Sequence, residues 1–130
     1  MAFIAVSPSS FEFKFDHQTD PAIPAVGPTP LEAFLGSIAA CTAMDVISIL
    51  HKMHQTVTSY RVEIDGDRPG EGEYPRPYKS LKIRHILGGS NLDEALVQKA
   101  VELSENKYCS AMATLRECPT VATEWLLTQE

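Results

Sequence analysis

Three thiols are the side chains in this 130-residue chain best suited to covalent chemistry: Cys41, Cys109 and Cys118. A cysteine acts as nucleophile or metal ligand through its thiolate, so its surroundings decide whether it reacts. Cys41 lies at the centre of an apolar run, Phe34 to Leu50, where it is either a small packed hydrophobe or a sheltered reactive group. Asp45 lies one helical turn on and on the same face, where its negative charge opposes a thiolate unless a cation intervenes. Cys109 stands at the start of a second helical segment, where the helix dipole and free N–H groups favour the thiolate; helix-end packing is the competing reading. Cys118 precedes Pro119 at the entry to a strand and reads as a spare thiol. No Cys-x-x-Cys occurs, so neither a zinc site nor a thioredoxin-type motif is expected. His51 and His54 are three apart but lack a Cys or carboxylate at ligand spacing. They read as helix-end residues, and no metal is expected. There is no Gly-x-Ser-x-Gly elbow, and Gly88-Gly89 lacks the setting of a phosphate loop.

The element that must position Cys41 is one long helix from Thr29 to His54. Thr29 is its N-cap, Pro30 occupies the first position, Glu32 faces the positive end of the dipole, and Lys52 and His54 sit at the negative end. From Phe34 to Leu50 nearly every side is apolar or small, and Asp45 is the only charge. A helix apolar all round is expected to be buried all round. It reads as too short and too polar for a membrane span, which needs roughly 20 mostly apolar residues.

Around this helix the chain alternates. Phe3 to Val6 reads as an edge strand, and Phe11, Phe13 and Phe15 alternate with polar residues in a half-buried strand. After His54 the period becomes two. Tyr60, Val62 and Ile64 face one way, and Leu81, Ile83 and His85 do so in a second strand beyond a turn-rich loop at Gly66 to Pro77. Asn91 to Glu94 has the form of a capping box opening a helix with Leu92, Leu96, Ala100 and Leu103 on one face. A break near Asn106 leads to a short helix over Tyr108 to Leu115, and Thr120 to Leu127 reads as a last strand. The expected fold class is α+β, with an antiparallel sheet wrapped on a long buried central helix in a single domain over residues 1–130. Four or five strands and one more helix cover only part of the central helix. A second copy of the chain would cover the rest, so an obligate homodimer is expected.

Composition narrows the function. The apolar and charged fractions, 44% and 22%, are those of an ordinary soluble protein. A net charge of −6 and the lack of a basic run argue against nucleic-acid binding. The N-terminus carries no legible signal peptide, which makes the cytoplasm the default compartment with no membrane association. In a reducing compartment three cysteines are no disulfide framework; thiols that matter there do so by reactivity or metal binding.

Gly27-Pro28-Thr29-Pro30-Leu31-Glu32, Ala39-Ala40-Cys41-Thr42-Ala43-Met44-Asp45-Val46 and Lys107-Tyr108-Cys109-Ser110 with Ala113-Thr114-Leu115 resemble the signature stretches of the OsmC/Ohr family. These are the osmotically inducible and organic hydroperoxide resistance proteins. The similarity runs from about Gly27 to the C-terminus and is greatest to the generic OsmC-like branch. It implies an intertwined α+β homodimer with two thiols per site at the subunit interface, and no cofactor. By motif, Cys41 is the peroxidatic thiol and Cys109 the resolving one. The implied reaction reduces an organic hydroperoxide through a Cys41 sulfenic acid, which Cys109 converts to a disulfide. A dithiol reductant, in the family often a lipoyl protein, reopens it. Two features differ from the family pattern. The activating Arg of the N-terminal strands has no counterpart, since no Arg precedes Arg61 and Lys14 is a point-charge substitute. The acidic residue after the Pro comes one position late, as Glu32, about two and a half turns from Cys41 and on the opposite face. Arg61, Arg84 and Arg116 remain as candidate cations. The alternative is a non-enzymatic dimer of the same fold that binds a small apolar ligand or a protein partner.

Overall fold

The computed structural model describes residues 1–128. Four antiparallel strands and three α-helices follow the expected order up to Arg116. Strands β1 (Ala2–Val6) and β2 (Glu12–Asp16) pair as one ribbon, with Phe3 opposite Phe15. The long helix α1 spans Pro30–Lys52. Strands β3 (Thr56–Asp67) and β4 (Ser80–Ser90) form a second, separate pair. Helix α2 (Glu94–Leu103) runs into a π-helical turn, Ser104–Tyr108, and α3 (Ser110–Arg116) is the last regular element among the described residues. The result is a mixed α+β chain with antiparallel strands, as expected. Its strands form two ribbons rather than one sheet.

Local chemistry explains how α1 starts. The Thr29 hydroxyl accepts the Glu32 N–H at 3.3 Å, and the Glu32 carboxylate accepts the Thr29 N–H at 2.9 Å. This reciprocal cap satisfies two otherwise free donors. It commits Glu32 to the helix end, far from Cys41. At the other end the helix stops at Lys52. His54 adopts φ 59°, a left-handed conformation outside the helix that the sequence extended to it.

The core lies between α1, α2 and the β3–β4 pair. Val46, Leu50 and Ala100 are fully buried, with Val57, Tyr60, Leu87 and Val97 packed against them. Val57 and Tyr60 are three apart and would face opposite sides of a regular strand. A register shift between Val57 and Ser59 inserts one residue and turns both toward the core. Further along, Val62 pairs with His85 and Ile64 with Ile83, all on the half-buried face. Leu50 is 0% exposed. Leu50→Ala should therefore cost about 3 kcal/mol, as a shift in the urea midpoint, because the cavity cannot refill between two helices and a sheet.

Tyr60 and His85 are also linked, the Tyr60 hydroxyl lying 2.7 Å from His85 Nδ1. Burial pushes Tyr60 up to about 12. Burial also lowers the His85 pKa below its ordinary value, against the opposing charge of Glu105. A group whose folded pKa lies below its unfolded value stabilises fully above the unfolded value, about 6.5 for histidine. That contribution is lost as pH falls through the folded value. Stability should thus drop on acidification from about pH 7 to 5. In His85→Gln that part of the slope should flatten, as read by chemical denaturation across the range.

Three expectations need correction. Asn91 does not cap α2: it takes φ 53°, and Asp93 is the cap, accepting the Ala95 N–H at 2.9 Å. A carboxylate directly before the first turn outcompetes an Asn two residues upstream. Thr120 to Leu127 is not a strand in this chain. It has no regular structure, and Trp125 and Leu127 are 78% and 83% exposed. A strand needs a paired neighbour for its N–H and C=O groups, and this segment pairs with neither ribbon. The β1–β2 ribbon is likewise more exposed than expected, with Phe13 at 47% and Phe11, just before β2, at 73%.

The long helix departs from expectation in a fourth way. At 23 residues it is long and apolar enough, by length and composition alone, to cross a membrane. One stripe of it, Ile38, Ala39, Thr42, Val46 and Leu50, is buried in the fold. Phe34, Ala40, Met44 and Ser48 are exposed. The helix is therefore buried on one face of the single chain and not all round.

Candidate functional site

Helix α1 carries Cys41 half-buried on the edge of its packed stripe. Cys109 reaches the same point from the far end of the chain. The N–H of Cys109 donates to the Ser104 carbonyl at 2.8 Å, closing the π-helical turn. That extra residue per turn swings Cys109 into the N-cap position of α3. Arg116 clamps the arrangement, donating to the Glu105 carbonyl at 2.7 Å and reaching the Glu105 carboxylate at 3.6 Å. The Cys109 sulfur ends 3.1 Å from the Cys41 sulfur, with Cys109 donating its S–H. A disulfide bond is about 2.05 Å long, so the pair is poised but not joined.

The proton stays on Cys109 for a physical reason. Cys109 is 3% exposed, and burial raises its pKa. The hydrogen bond and charge of Cys41 raise it further, while the N–H groups of Met112 and Ala111 lower it. The helix start does favour the thiolate, as the sequence suggested, but burial outweighs it.

Asp45 completes the cluster. Its carboxylate and the two sulfurs lie within 4.8 Å of one another. Its orientation comes from two buried hydroxyls that sequence reasoning did not single out. Ser104 Oγ lies 2.8 Å from Thr42 Oγ1 and 3.2 Å from Asp45 Oδ2. Each hydroxyl has one proton and the carboxylate only accepts, so the satisfied order is Thr42 to Ser104 to Asp45. A signal was present in the sequence. Ile38, Thr42, Val46 and Leu50 are spaced by four, as are Leu96, Ala100 and Ser104, so each apolar stripe holds one hydroxyl at a core position. A polar group there needs a partner, and these two partner each other.

The candidate cations lie elsewhere. Arg61 and Arg84 flank Glu63 on the solvent face of β3–β4, and Arg116 is committed to Glu105. Lys14 stands exposed on β2. Among the described residues Asp45 forms no ion pair. His51 and His54 are exposed at the helix end, away from the thiols, and Cys118 is exposed beyond α3.

Two clefts lie near the cluster, one beside Thr42 and the other lined by Asp45. One of about 390 Å³ opens beside Thr42 and Met112, with Leu81, Ile83 and Leu115 as apolar walls and His85 and Glu105 as polar ones. A second, of about 320 Å³, is lined by Asp45, Lys52, Leu103 and Tyr108 among others.

Known proteins are similar to this chain in sequence or in fold. Protein YhfA of Escherichia coli K12 is 35% identical over 94 residues, which are 72% of this chain and 69% of that protein. A hypothetical protein from Aquifex aeolicus VF5, 26% identical, superposes with a TM-score of 0.65 over 89% of this chain and 86% of its own. An OsmC-like hydroperoxide resistance protein from Jannaschia sp. CCS1 shares the fold at 20% identity, with a TM-score of 0.63 over 99% of this chain and 92% of its own. A family model described as OsmC-like protein matches residues 20–124, a span that holds α1, the β3–β4 pair and both facing thiols. By that match and by its likeness to YhfA, the chain belongs to the OsmC-like protein family.

Proposed function

We propose that the chain is a thiol-dependent reductase of organic hydroperoxides, working as a cytoplasmic homodimer of single-domain subunits. The observation that carries this reading is the 3.1 Å approach of the Cys41 and Cys109 sulfurs. Cys41 is the more accessible of the two and accepts the Cys109 S–H. That bond aims the Cys109 proton at the Cys41 sulfur. The Cys41 thiolate attacks the distal oxygen of the hydroperoxide. The O–O bond breaks, the alkoxide takes up a proton and leaves as alcohol, and Cys41 becomes a sulfenic acid. Cys109 then gives up its proton and attacks the Cys41 sulfur. The S–O bond breaks, water leaves, and a Cys41–Cys109 disulfide forms. A dithiol reductant, for example a lipoyl group, restores both thiols by exchange. The cleft beside Thr42 and Met112 takes the organic part of the peroxide, which favours organic over hydrogen peroxide.

The uncovered face of α1 supports the dimer. Met44 is 72% exposed and Phe34 43%, on a helix otherwise built for burial, and Phe3, Ile4 and Val6 of the β1–β2 ribbon are exposed as well. Apolar surface on this scale belongs to an interface. A second copy wrapping its own ribbon onto this helix would bury it from both sides.

The test is to treat reduced protein with one equivalent of tert-butyl hydroperoxide and map the cysteines by mass spectrometry. A rapid Cys41–Cys109 disulfide is expected. Thiols that stay reduced in excess peroxide would overturn the reading and leave a ligand-binding dimer of the same fold.

A further inference from the structure

We propose that Cys41, Cys109 and Asp45 together form a binding site for one Zn²⁺ ion per chain, with the fourth coordination position open. The three donor atoms already converge within 4.8 Å. Zinc takes thiolate and carboxylate ligands tetrahedrally, with Zn–S near 2.3 Å, which sets the two sulfurs about 3.8 Å apart. From 3.1 Å they need to part by roughly 0.7 Å, a small rotation of each side chain, to reach that spacing. Two thiolates and one carboxylate suit a borderline cation and disfavour magnesium or calcium, which take all-oxygen shells.

Three further features fit a cation. The first is charge. Ligation by two thiolates and Asp45 places three negative charges around the ion, and among the described residues Asp45 has no cationic partner. A dication offsets two of these three charges. The second is orientation. The Thr42–Ser104 pair holds one oxygen of Asp45 by hydrogen bond and leaves the other free. Such outer partners fix a ligating carboxylate and typically change metal affinity 10–100-fold. The third is access: Asp45 lines the cleft of about 320 Å³, and Cys41 is half-buried, so two of the three donors are reachable from solvent. No Cys-x-x-Cys spacing marks this set, because Cys41 and Asp45 come from α1 and Cys109 from the turn into α3, 68 residues beyond Cys41.

Zinc binding removes both thiols from redox chemistry by converting them to ligands, with release of their protons. The site is therefore a reversible cap on the same sulfurs. It stands whether or not the protein turns over peroxide, because it depends only on donor geometry in the reduced chain.

The test uses full-length reduced protein, peroxide-free. Titration with Co²⁺ should give one ion per chain with a thiolate-to-cobalt charge-transfer band, and Zn²⁺ should displace it. Cys41→Ser and Cys109→Ser should abolish the band, Cys118→Ser should leave it, and Ser104→Ala should weaken binding about tenfold. In unaltered protein, Zn²⁺ should protect Cys41 and Cys109, but not Cys118, from alkylation by iodoacetamide. The proposal is overturned if Cys41 and Cys109 alkylate equally fast with and without stoichiometric Zn²⁺. It is equally overturned if the band survives loss of either thiol.

Discussion

Cys41→Ser should reduce peroxide turnover by at least about 10³-fold, while Cys109→Ser should leave the first oxidation step intact, since only the residue forming the covalent intermediate is indispensable to it. The measurement is single-turnover oxidation with a sulfenic-acid trap. In Cys109→Ser, one equivalent of hydroperoxide should yield trapped sulfenic acid at Cys41 and one equivalent of alcohol. In Cys41→Ser, no alcohol should form. Equal loss at the first step in both variants would contradict the assigned roles. Burial supports the assignment made by motif: Cys109 is enclosed, with its pKa raised, and Cys41 is only half-buried. It also sets a pH dependence. Resolution requires Cys109 to lose a proton that burial and its bond to Cys41 hold more tightly than in an ordinary thiol. Disulfide closure should therefore accelerate with pH through and beyond the ordinary thiol range near 8.5. Stopped-flow measurement at fixed peroxide should separate that step from the first.

Met44→Glu should convert a dimer to a monomer. Met44 is 72% exposed in the single chain, where an exposed substitution changes stability by no more than about 0.5 kcal/mol. Against a second subunit it would place a carboxylate in an apolar contact without a partner. A penalty of about 3 kcal/mol weakens association by roughly two orders of magnitude. Sedimentation velocity over a concentration series should show the unaltered protein as a dimer and Met44→Glu shifted toward monomer, with far-ultraviolet circular dichroism unchanged. A concentration-independent monomer for the unaltered protein would remove the dimer. The exposed flank of α1 would then need another explanation, and its length and apolarity make a membrane surface the first to examine.

The cap of α1, the alternation in β3 and β4, the amphipathic face of α2 and the placing of Cys109 at a helix start were all legible in the sequence. Each depends on residues within a few positions of one another, and short-range sterics and period decide them. The two cysteine motifs pointed to the family for the same reason, since a motif is local. The capping of α2 was misplaced by two residues because Asn91 and Asp93 are both good caps, and the left-handed turn at Asn91 chose between them.

What only the tertiary structure decided is where distant pieces meet. The strand expected at Thr120 to Leu127 failed because an alternating pattern does not make a strand without pairing, and this segment pairs with neither ribbon. The apolar girth of α1 was visible, yet which stripe the chain itself buries depended on α2 and β3. The facing sulfurs of Cys41 and Cys109, 68 residues apart, depend on the π-helical turn at Ser104–Tyr108. So does the hydroxyl relay that aims Asp45. No spacing in the sequence encodes that turn. It follows from packing Ser104 against Thr42, where two buried hydroxyls satisfy each other and bring the thiols and the carboxylate together.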